Sequence, residues 1–167
     1  MHIRLEEEQD WPAVRAVNES AFETSAEADL VDALREQAAP LVSLVAANHG
    51  SIVGHILFSP VTLSGHPELK IMGLAPMAVT RPYQSQGIGS LLVRAGLEEC
   101  TKLGFGAVVV LGHPRYYPRF GFVPAGRYGI ACEYEVPEDA FMLVELRPGY
   151  LRTASGTIRY HAAFASL

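Results

Sequence analysis

The middle of the chain has the pattern of a long helix between two strands, which limits the possible folds more than any other segment. Residues 87–103 carry apolar side chains at helical spacing: Ile88, Leu91, Leu92 and Ala95. The run Phe105–Leu111 that follows, FGAVVVL, is typical of a strand buried on both faces. A strand is also predicted before the helix, over Lys70–Val79. Two strands joined by such a helix are parallel neighbours with a right-handed crossover, which predicts an α/β (α+β) fold.

Shorter segments add further strands and helices around this unit. Strands are predicted over His2–Leu5, Leu41–Ala47, Ser51–Leu63 and Phe141–Leu146, with another extended piece from Val123. Asp10 as N-cap and Pro12 in the first turn predict one helix, residues 27–37 a second, and residues 115–120 a short helical turn. The 167 residues favour one domain, predicted over 1–148, with 149–167 as a C-terminal extension packed on it.

Composition and charge narrow the classes of partner. The formal net charge of -5 makes the chain a poor candidate for nucleic-acid binding. No apolar run reaches the roughly 20 residues of a membrane span, and Met1–Asp10 is too polar for a signal peptide. We therefore expect a cytoplasmic protein with its two cysteines reduced. No CxxC or HExxH motif is present, so no metal site is expected, and a homodimer is left open.

The most informative stretch is the predicted loop between the strand and the central helix, within MAVTRPYQSQGIGSLL at residues 77–92. Glycines two apart at a helix N-terminus turn backbone N–H groups outward and form a cradle for phosphate. The dinucleotide motif GxGxxG would need Gly or Ala where Leu92 stands, and no P-loop lysine follows. What remains is Gln84-x-x-Gly87-x-Gly89. By itself this pattern is also compatible with an ordinary turn in which glycine only serves the geometry.

A second motif follows after one strand and one short helical turn: Tyr117-x-x-x-Gly121-Phe122. Together the two motifs, in this order, resemble the GNAT acetyltransferases, which bind a pyrophosphate with Q/R-x-x-G-x-G/A and carry Y-x-x-x-G-F further on. The segment VLGHPRYYPRFGF is similar to the YhbS-like branch of predicted N-acetyltransferases. The resemblance covers about residues 1–148.

The resemblance implies a mixed central sheet with helices on both faces and a parallel strand pair that splays apart. It implies acetyl-CoA as cosubstrate and an amine, on a small molecule or a protein N-terminus, as acceptor. The pantetheine arm would pair with the strand backbone near Met77 and Val79, and the amine would attack the thioester directly. The residues expected to bind the cosubstrate are Met77, Ala78, Val79, Gln84, Ser85, Gln86, Gly87, Ile88, Gly89, Ser90 and Tyr117.

The resemblance also suggests catalytic residues. Tyr117 is the candidate general acid that protonates the departing thiolate, and its neighbour Tyr116 is expected to be structural. Some relatives carry a glutamate as base where this chain has Gly73, so the base is open among Glu27, His55, His113 and ordered water. The asparagine that many relatives carry seven residues before the tyrosine is Val110 here.

Two other functions share this motif set. A related enzyme could transfer a longer acyl group from acyl-CoA or an acyl-carrier protein, which depends on the size of the space near Met77 and Tyr117. A CoA-binding sensor could keep the cradle without turnover, although Tyr117 argues against that. Cys100 lies in the middle of the predicted helix without a histidine partner, so it is expected to be a small buried apolar side chain rather than a nucleophile.

Overall fold

The structure, a computed structural model, describes all residues from 1 to 167. Its three helices are α1 (Trp11–Ala21), α2 (Ala26–Gln37) and α3 (Ile88–Lys102). Its nine strands are β1 (His2–Leu5), β2 (Val42–Asn48), β3 (Ser51–Leu63), β4 (Ile71–Val79), β5 (Ala107–Leu111), β6 (Val123–Pro124), β7 (Ile130–Cys132), β8 (Phe141–Glu145) and β9 (Gly156–Arg159). Short 3-10 turns lie at Glu8–Asp10, Arg81–Tyr83, Tyr117–Phe120, Ala125–Tyr128 and Ala162–Ser166. None of the helices combines the length and the apolar character needed to cross a bilayer.

The main sheet has the strand order β1-β2-β3-β4-β5-β8-β6. All neighbours along this path are antiparallel except β4 and β5, which are parallel and joined by α3. The parallel pairing covers Ile71–Leu74 with Ala107–Val110 and then stops, while β4 continues to Val79 beside β3 alone. The gap that opens between residues 75–79 of β4 and the chain after β5 is the wedge. The predicted mixed sheet with a splayed parallel pair is therefore confirmed.

Alternate residues of the strands pack against helices on opposite faces of the sheet. On one face Leu44 and Ile56 pack in a core with Leu92 of α3. On the other face their neighbours Val45 and Leu57 pack against α1 and α2. This alternation follows from the two-residue period of a strand, and it confirms the prediction of helices on both faces.

Two local predictions need correction. Asp10 does not cap α1 with its side chain. Its carboxylate instead pairs with Arg4 at 2.7 Å and accepts the N–H of Glu7 at 2.8 Å. The second correction concerns residues 149–167, where no strand was expected. Residues Gly156–Arg159 form β9, which pairs with the end of β3 and runs parallel to β7.

Candidate active site

The loop between β4 and α3 has the backbone of an anion-binding turn. After the 3-10 turn Arg81–Tyr83, Ser85 and Gly87 both have left-handed backbone, with φ of 62° and 86°. Left-handed φ is common for glycine and rare for serine, and such residues cluster where backbone N–H groups must point at a ligand. α3 begins directly afterwards at Ile88.

The backbone N–H groups from Ser85 to Ser90 form a cradle of six consecutive donors without an acceptor in the protein. The donors on either side are satisfied: Gln84 N–H bonds the carbonyl of Arg81, and Leu91 N–H makes the first bond of α3, to Gly87. Six free donors lie at the positive end of the α3 dipole, so the loop favours an anion.

The cradle opens into a cleft of about 370 Å³. The residues that line it come from β4, the loop, the start of α3 and the turn after β5: Val79, Tyr83, Gln84, Ser85, Gly87, Ile88, Gly89, Ser90, Tyr116 and Arg119. Most of the predicted loop residues thus come together on one cleft. Gln86 is the exception, since its side-chain amide turns back to the carbonyl of Pro82 at 3.0 Å.

The edge of β4 that faces the wedge exposes backbone hydrogen-bonding groups at the predicted positions. Thr80 N–H donates to Val53 on β3, so the alternation of an antiparallel ladder directs the backbone of Ala78 to β3 as well. The backbone groups of Met77 and Val79 then point into the wedge. The side-chain amide of Gln84 bonds the Val79 carbonyl at 2.8 Å, which shows that this carbonyl is turned away from β3. Ala78 has no backbone group directed at the wedge.

Tyr116 and Arg119 also line the cleft, and sequence analysis did not assign them to the site. The Tyr116 hydroxyl lies 3.1 Å from the Ser90 hydroxyl, and it would lie 3.1 Å from a side chain built at Gly89. The Arg119 guanidinium stacks 4.4 Å from the centre of the Tyr116 ring and adds a positive charge at the mouth of the cleft. Tyr116, which was expected to be structural, therefore also forms part of the surface of the cleft and contacts the start of α3.

Tyr117 packs behind Tyr116 with its ring buried and its hydroxyl without a hydrogen bond in the protein. Its ring makes edge contacts with Tyr116 at 5.1 Å and Phe122 at 5.5 Å, and it lies against Gly112, where a larger side chain would clash with it. Burial, with a smaller contribution from Tyr116, raises the pKa of Tyr117 to about 12. The phenol therefore keeps its proton throughout the physiological pH range.

His55 is the candidate base that the geometry supports least. It is fully buried, with Nδ1 3.1 Å from the Asn18 amide nitrogen and Nε2 2.9 Å from the Ser43 hydroxyl. Burial and then the charge of Arg35 lower its pKa to about 3. A histidine with both nitrogens bonded and no contact with solvent is a structural residue that links α1, β2 and β3.

Glu27 and His113 differ from His55 in their surroundings. Glu27 lies in the first turn of α2, and its Oε1 is buried without a hydrogen-bond partner. His113 is exposed in the turn that follows β5, at the edge of the wedge. Cys100 is buried on the core side of α3, and burial raises the pKa of its thiol to about 12, which disfavours the nucleophilic thiolate. No group of three or more His, Cys, Asp or Glu side chains is arranged to hold a metal ion.

Comparison with known proteins decides the family. The acetyltransferase (GNAT) family matches residues 5–122, which include β4, the loop, α3, β5 and Tyr117. The chain belongs to the GNAT acetyltransferase family. Among curated GNAT relatives, the uncharacterized N-acetyltransferase YhbS of Escherichia coli (strain K12) is 38% identical over 165 residues, 98% of either chain. The uncharacterized N-acetyltransferase YjhQ of the same strain is 40% identical over 163 residues, 94% of this chain and 90% of YjhQ.

Two solved GNAT structures are similar over nearly the whole chain. The crystal structure of YhbS from Escherichia coli in complex with CoA has a TM-score of 0.93 at 37% identity, over 98% of this chain and 91% of that one. A GNAT family acetyltransferase from Brucella melitensis in complex with acetyl-CoA has a TM-score of 0.79 at 36% identity, over 98% and 97%. The resemblance stated from the two motifs, including the YhbS-like branch, is confirmed.

Proposed function

We propose that this GNAT protein transfers the acetyl group of acetyl-CoA directly to an amine. The observation that carries the proposal is the cradle of six free N–H groups from Ser85 to Ser90, beside the free backbone edge of β4. A pyrophosphate carries two negative charges and many acceptor oxygens, which match donors at a helix N-terminus. The solved relatives with bound CoA and acetyl-CoA support this assignment.

Different residues of the site bind different parts of the cosubstrate. The cradle holds the pyrophosphate, and Arg119 lies where it contributes a positive charge to the same cleft. Met77 and Val79 offer backbone groups to the amides of the pantetheine arm, as a neighbouring strand would. The N–H of Met77 also points into the wedge, where it can polarise the thioester carbonyl as an oxyanion-hole donor does. The main contribution of the protein is then the orientation of the thioester for attack.

Tyr117 is proposed as the acid that returns a proton to the departing thiolate. A pKa of about 12 makes the phenol a weak acid in comparison with a thiol in water, whose pKa is about 8.5. A thiolate formed in the wedge would lose part of its hydration, and desolvation disfavours the charged form of a thiol as it does that of a phenol. Desolvation of the leaving group therefore favours proton transfer from a positioned phenol.

For the base, we propose Glu27 in preference to His55. An amine must lose a proton before it attacks, because an alkylammonium has a pKa of about 10. Glu27 has a buried carboxylate oxygen without a partner, which is costly unless a ligand group bonds it. His55 has neither a free nitrogen nor access to the wedge. His113 is exposed after β5 and serves as the alternative to be mutated alongside.

A matched pair of glycine variants tests the assignment of the cradle. Gly87 and Gly50 have nearly the same left-handed φ, 86° and 84°, and a side chain at either would have no neighbour within 4 Å. Glutamate at either position therefore has the same backbone strain, about 1–2 kcal/mol. Only Gly87→Glu adds a negative charge beside the cradle, whereas Gly50 lies in the turn between β2 and β3.

We expect the dissociation constant of acetyl-CoA, measured by calorimetry, to rise at least about 100-fold in Gly87→Glu. In Gly50→Glu it should equal that of the wild type. Both variants should melt at the same lowered temperature in the absence of ligand. The wild type should also release CoA when a suitable amine is added. Unchanged affinity in a folded Gly87→Glu protein would show that the cosubstrate does not use this loop.

A further inference from the structure

A second pocket, of about 470 Å³, lies at the opposite end of the wedge from the cradle, and aliphatic and aromatic side chains, two of them tyrosines, form most of its lining. Its floor is Leu74 and Ala75 of β4 and Leu111 at the end of β5. Its wall is Tyr134, Tyr160 and Phe164, which belong to the chain after β7 and to the C-terminal segment. The pocket is large enough for a ring with a short side chain.

The position of the pocket on β4 places it where the acceptor must bind. Leu74 is the last β4 residue that pairs with β5, and Ala75 is the first residue of the free edge that continues to Val79 at the cradle. Four residues of strand separate Ala75 from Val79, which is about 13 Å at 3.3 Å per residue. A pantetheine arm that runs along this edge from the cradle, as proposed above, would point its thioester toward the pocket.

The aromatic wall is fixed by its own packing. The rings of Tyr134 and Tyr160 are stacked at 6.0 Å with an angle of 22°, and Phe164 lies 5.1 Å from Tyr160. The backbone N–H of Tyr160 donates to the Glu133 carboxylate at 2.6 Å. The ring of Tyr160 also occupies the space above Gly73, where an added side chain would come within 3.0 Å of Cε1. At Gly73, the position where some relatives are expected to carry a glutamate, this chain has the ring of Tyr160 instead.

We propose that this pocket binds the body of the acceptor, and that the acceptor is a primary amine carried on an aromatic group. A polyamine, an amino sugar or a lysine side chain in a peptide would exchange its hydrogen bonds with water for contacts with hydrocarbon, which is unfavourable. An aryl group instead stacks on Tyr160 and Tyr134 and leaves water. An apolar pocket also disfavours the ammonium form, which promotes the neutral amine that attacks the thioester.

The transfer needs no reactant other than acetyl-CoA and the amine. The amine nitrogen forms a bond to the acetyl carbon, the carbon–sulfur bond breaks, the sulfur receives one proton, and the amide retains one N–H fewer than the amine. The proposal rests on the acetyl transfer proposed above, so the experiment needs a measurement of binding as well as of turnover.

The test compares phenethylamine with spermidine and with a lysine-containing peptide as acceptors, by CoA release and by calorimetry on the CoA complex. Leu111→Trp fills the pocket from a position that is 43% exposed, so the fold is not at risk. Leu103→Trp is the matched control, since Leu103 is 48% exposed and lies at the end of α3, outside the pocket. Tyr160→Leu tests the aromatic wall, with Tyr128→Leu as a tyrosine outside it.

We expect phenethylamine to have a kcat/KM at least about tenfold above that of spermidine and of the peptide. Leu111→Trp and Tyr160→Leu should reduce the phenethylamine value at least about tenfold, with acetyl-CoA affinity and both control variants unchanged. If spermidine or the peptide is the better substrate, acetyl transfer stands and the pocket proposal fails. A third outcome is that none of the three amines is acetylated, while phenethylamine binds the CoA complex and Leu111→Trp abolishes this binding. The pocket proposal then stands, and the proposal of acetyl transfer fails. Absence of both turnover and amine binding overturns both.

Discussion

Tyr117→Phe separates a proton donor from a packing residue, because the structure gives the two roles different costs. The variant removes one hydroxyl that bonds nothing in the protein and keeps the ring against Phe122 and Gly112. A buried hydroxyl that bonds a protein partner would cost about 1–3 kcal/mol on removal. For a chain of this size, each kcal/mol lowers the melting temperature by about 2–4 °C. Because no such bond exists here, we expect the melting temperature to stay within about 2 °C.

Catalysis should change far more than stability. A positioned general acid contributes about 10²-fold or more, and 10²-fold corresponds to about 2.7 kcal/mol of transition-state free energy. The loss should fall on kcat and leave the dissociation constant of acetyl-CoA within a few-fold, since the proton is delivered only in the transition state. Because the pKa of Tyr117 is about 12, the wild-type rate should show no loss from tyrosine ionisation below about pH 10.

The assay is CoA release, followed with a thiol reagent, on protein whose acetyl-CoA affinity and melting temperature are measured in parallel. Tyr116→Phe is the matched control. It loses the contact with Ser90 in the cleft, so it should weaken acetyl-CoA binding a few-fold and retain kcat. A Tyr117→Phe protein with full kcat would refute the role of acid and leave water as the proton source.

Two further results are expected from buried groups. His55 has a folded pKa of about 3, below its unfolded value near 6.5, so the unfolded state takes up a proton first as the pH falls. The free energy of unfolding, measured with urea, should therefore fall as the pH is lowered from 6.5 to 3. The fall should be steeper in the wild type than in His55→Gln, by up to about 1.4 kcal/mol per pH unit. A slope that the variant retains would assign the loss to other groups. Cys100 should resist a thiol reagent in the folded protein while Cys132, half-buried, reacts, and incubation with acetyl-CoA alone should leave no acetyl adduct on Cys100 in mass spectrometry.

The parts of the fold that were predictable depend on local pattern. β4, the glycine loop, α3 and β5 follow each other within residues 71–111, and each has its own apolar period or glycine spacing. The predicted bounds of these elements differ from the observed ones by one or two residues, since helix and strand ends depend on hydrogen bonds rather than on composition. The fold class followed from these elements and their order.

The unpredicted parts depend on distant partners. β9 contains only one fully buried side chain, Ile158. The strand forms because it can pair with Thr62 and Leu63 of β3, which lie about a hundred residues earlier in the chain. The four residues of β9 alone carry no pattern that reveals this pairing with β3. The surroundings of His55 could not be predicted for the same kind of reason, because its partners Asn18 and Ser43 come from α1 and β2. His55 has both ring nitrogens hydrogen-bonded only because α1, β2 and β3 meet at this point in the fold.

Tyr116 and Arg119 are an intermediate case. Both lie within the motif that identified Tyr117, so the sequence contained a reason to examine them. Their contact with Ser90 and the cleft depends on how the turn at Tyr117–Phe120 packs against the start of α3. The motif fixes the neighbourhood of these side chains, but their direction is set by tertiary packing.

The cradle consists of main-chain N–H groups, and this has a consequence for its response to conditions. A peptide N–H does not titrate, so its ability to donate a hydrogen bond does not change with pH while the protein is folded. If the cradle binds the pyrophosphate as proposed, the contribution of these N–H groups to affinity stays constant over the pH range in which lysine- or histidine-based sites change theirs. The shape of the cradle depends on the left-handed φ angles of Ser85 and Gly87 and on the missing side chain at Gly89, where an added one would lie 3.1 Å from the Tyr116 hydroxyl.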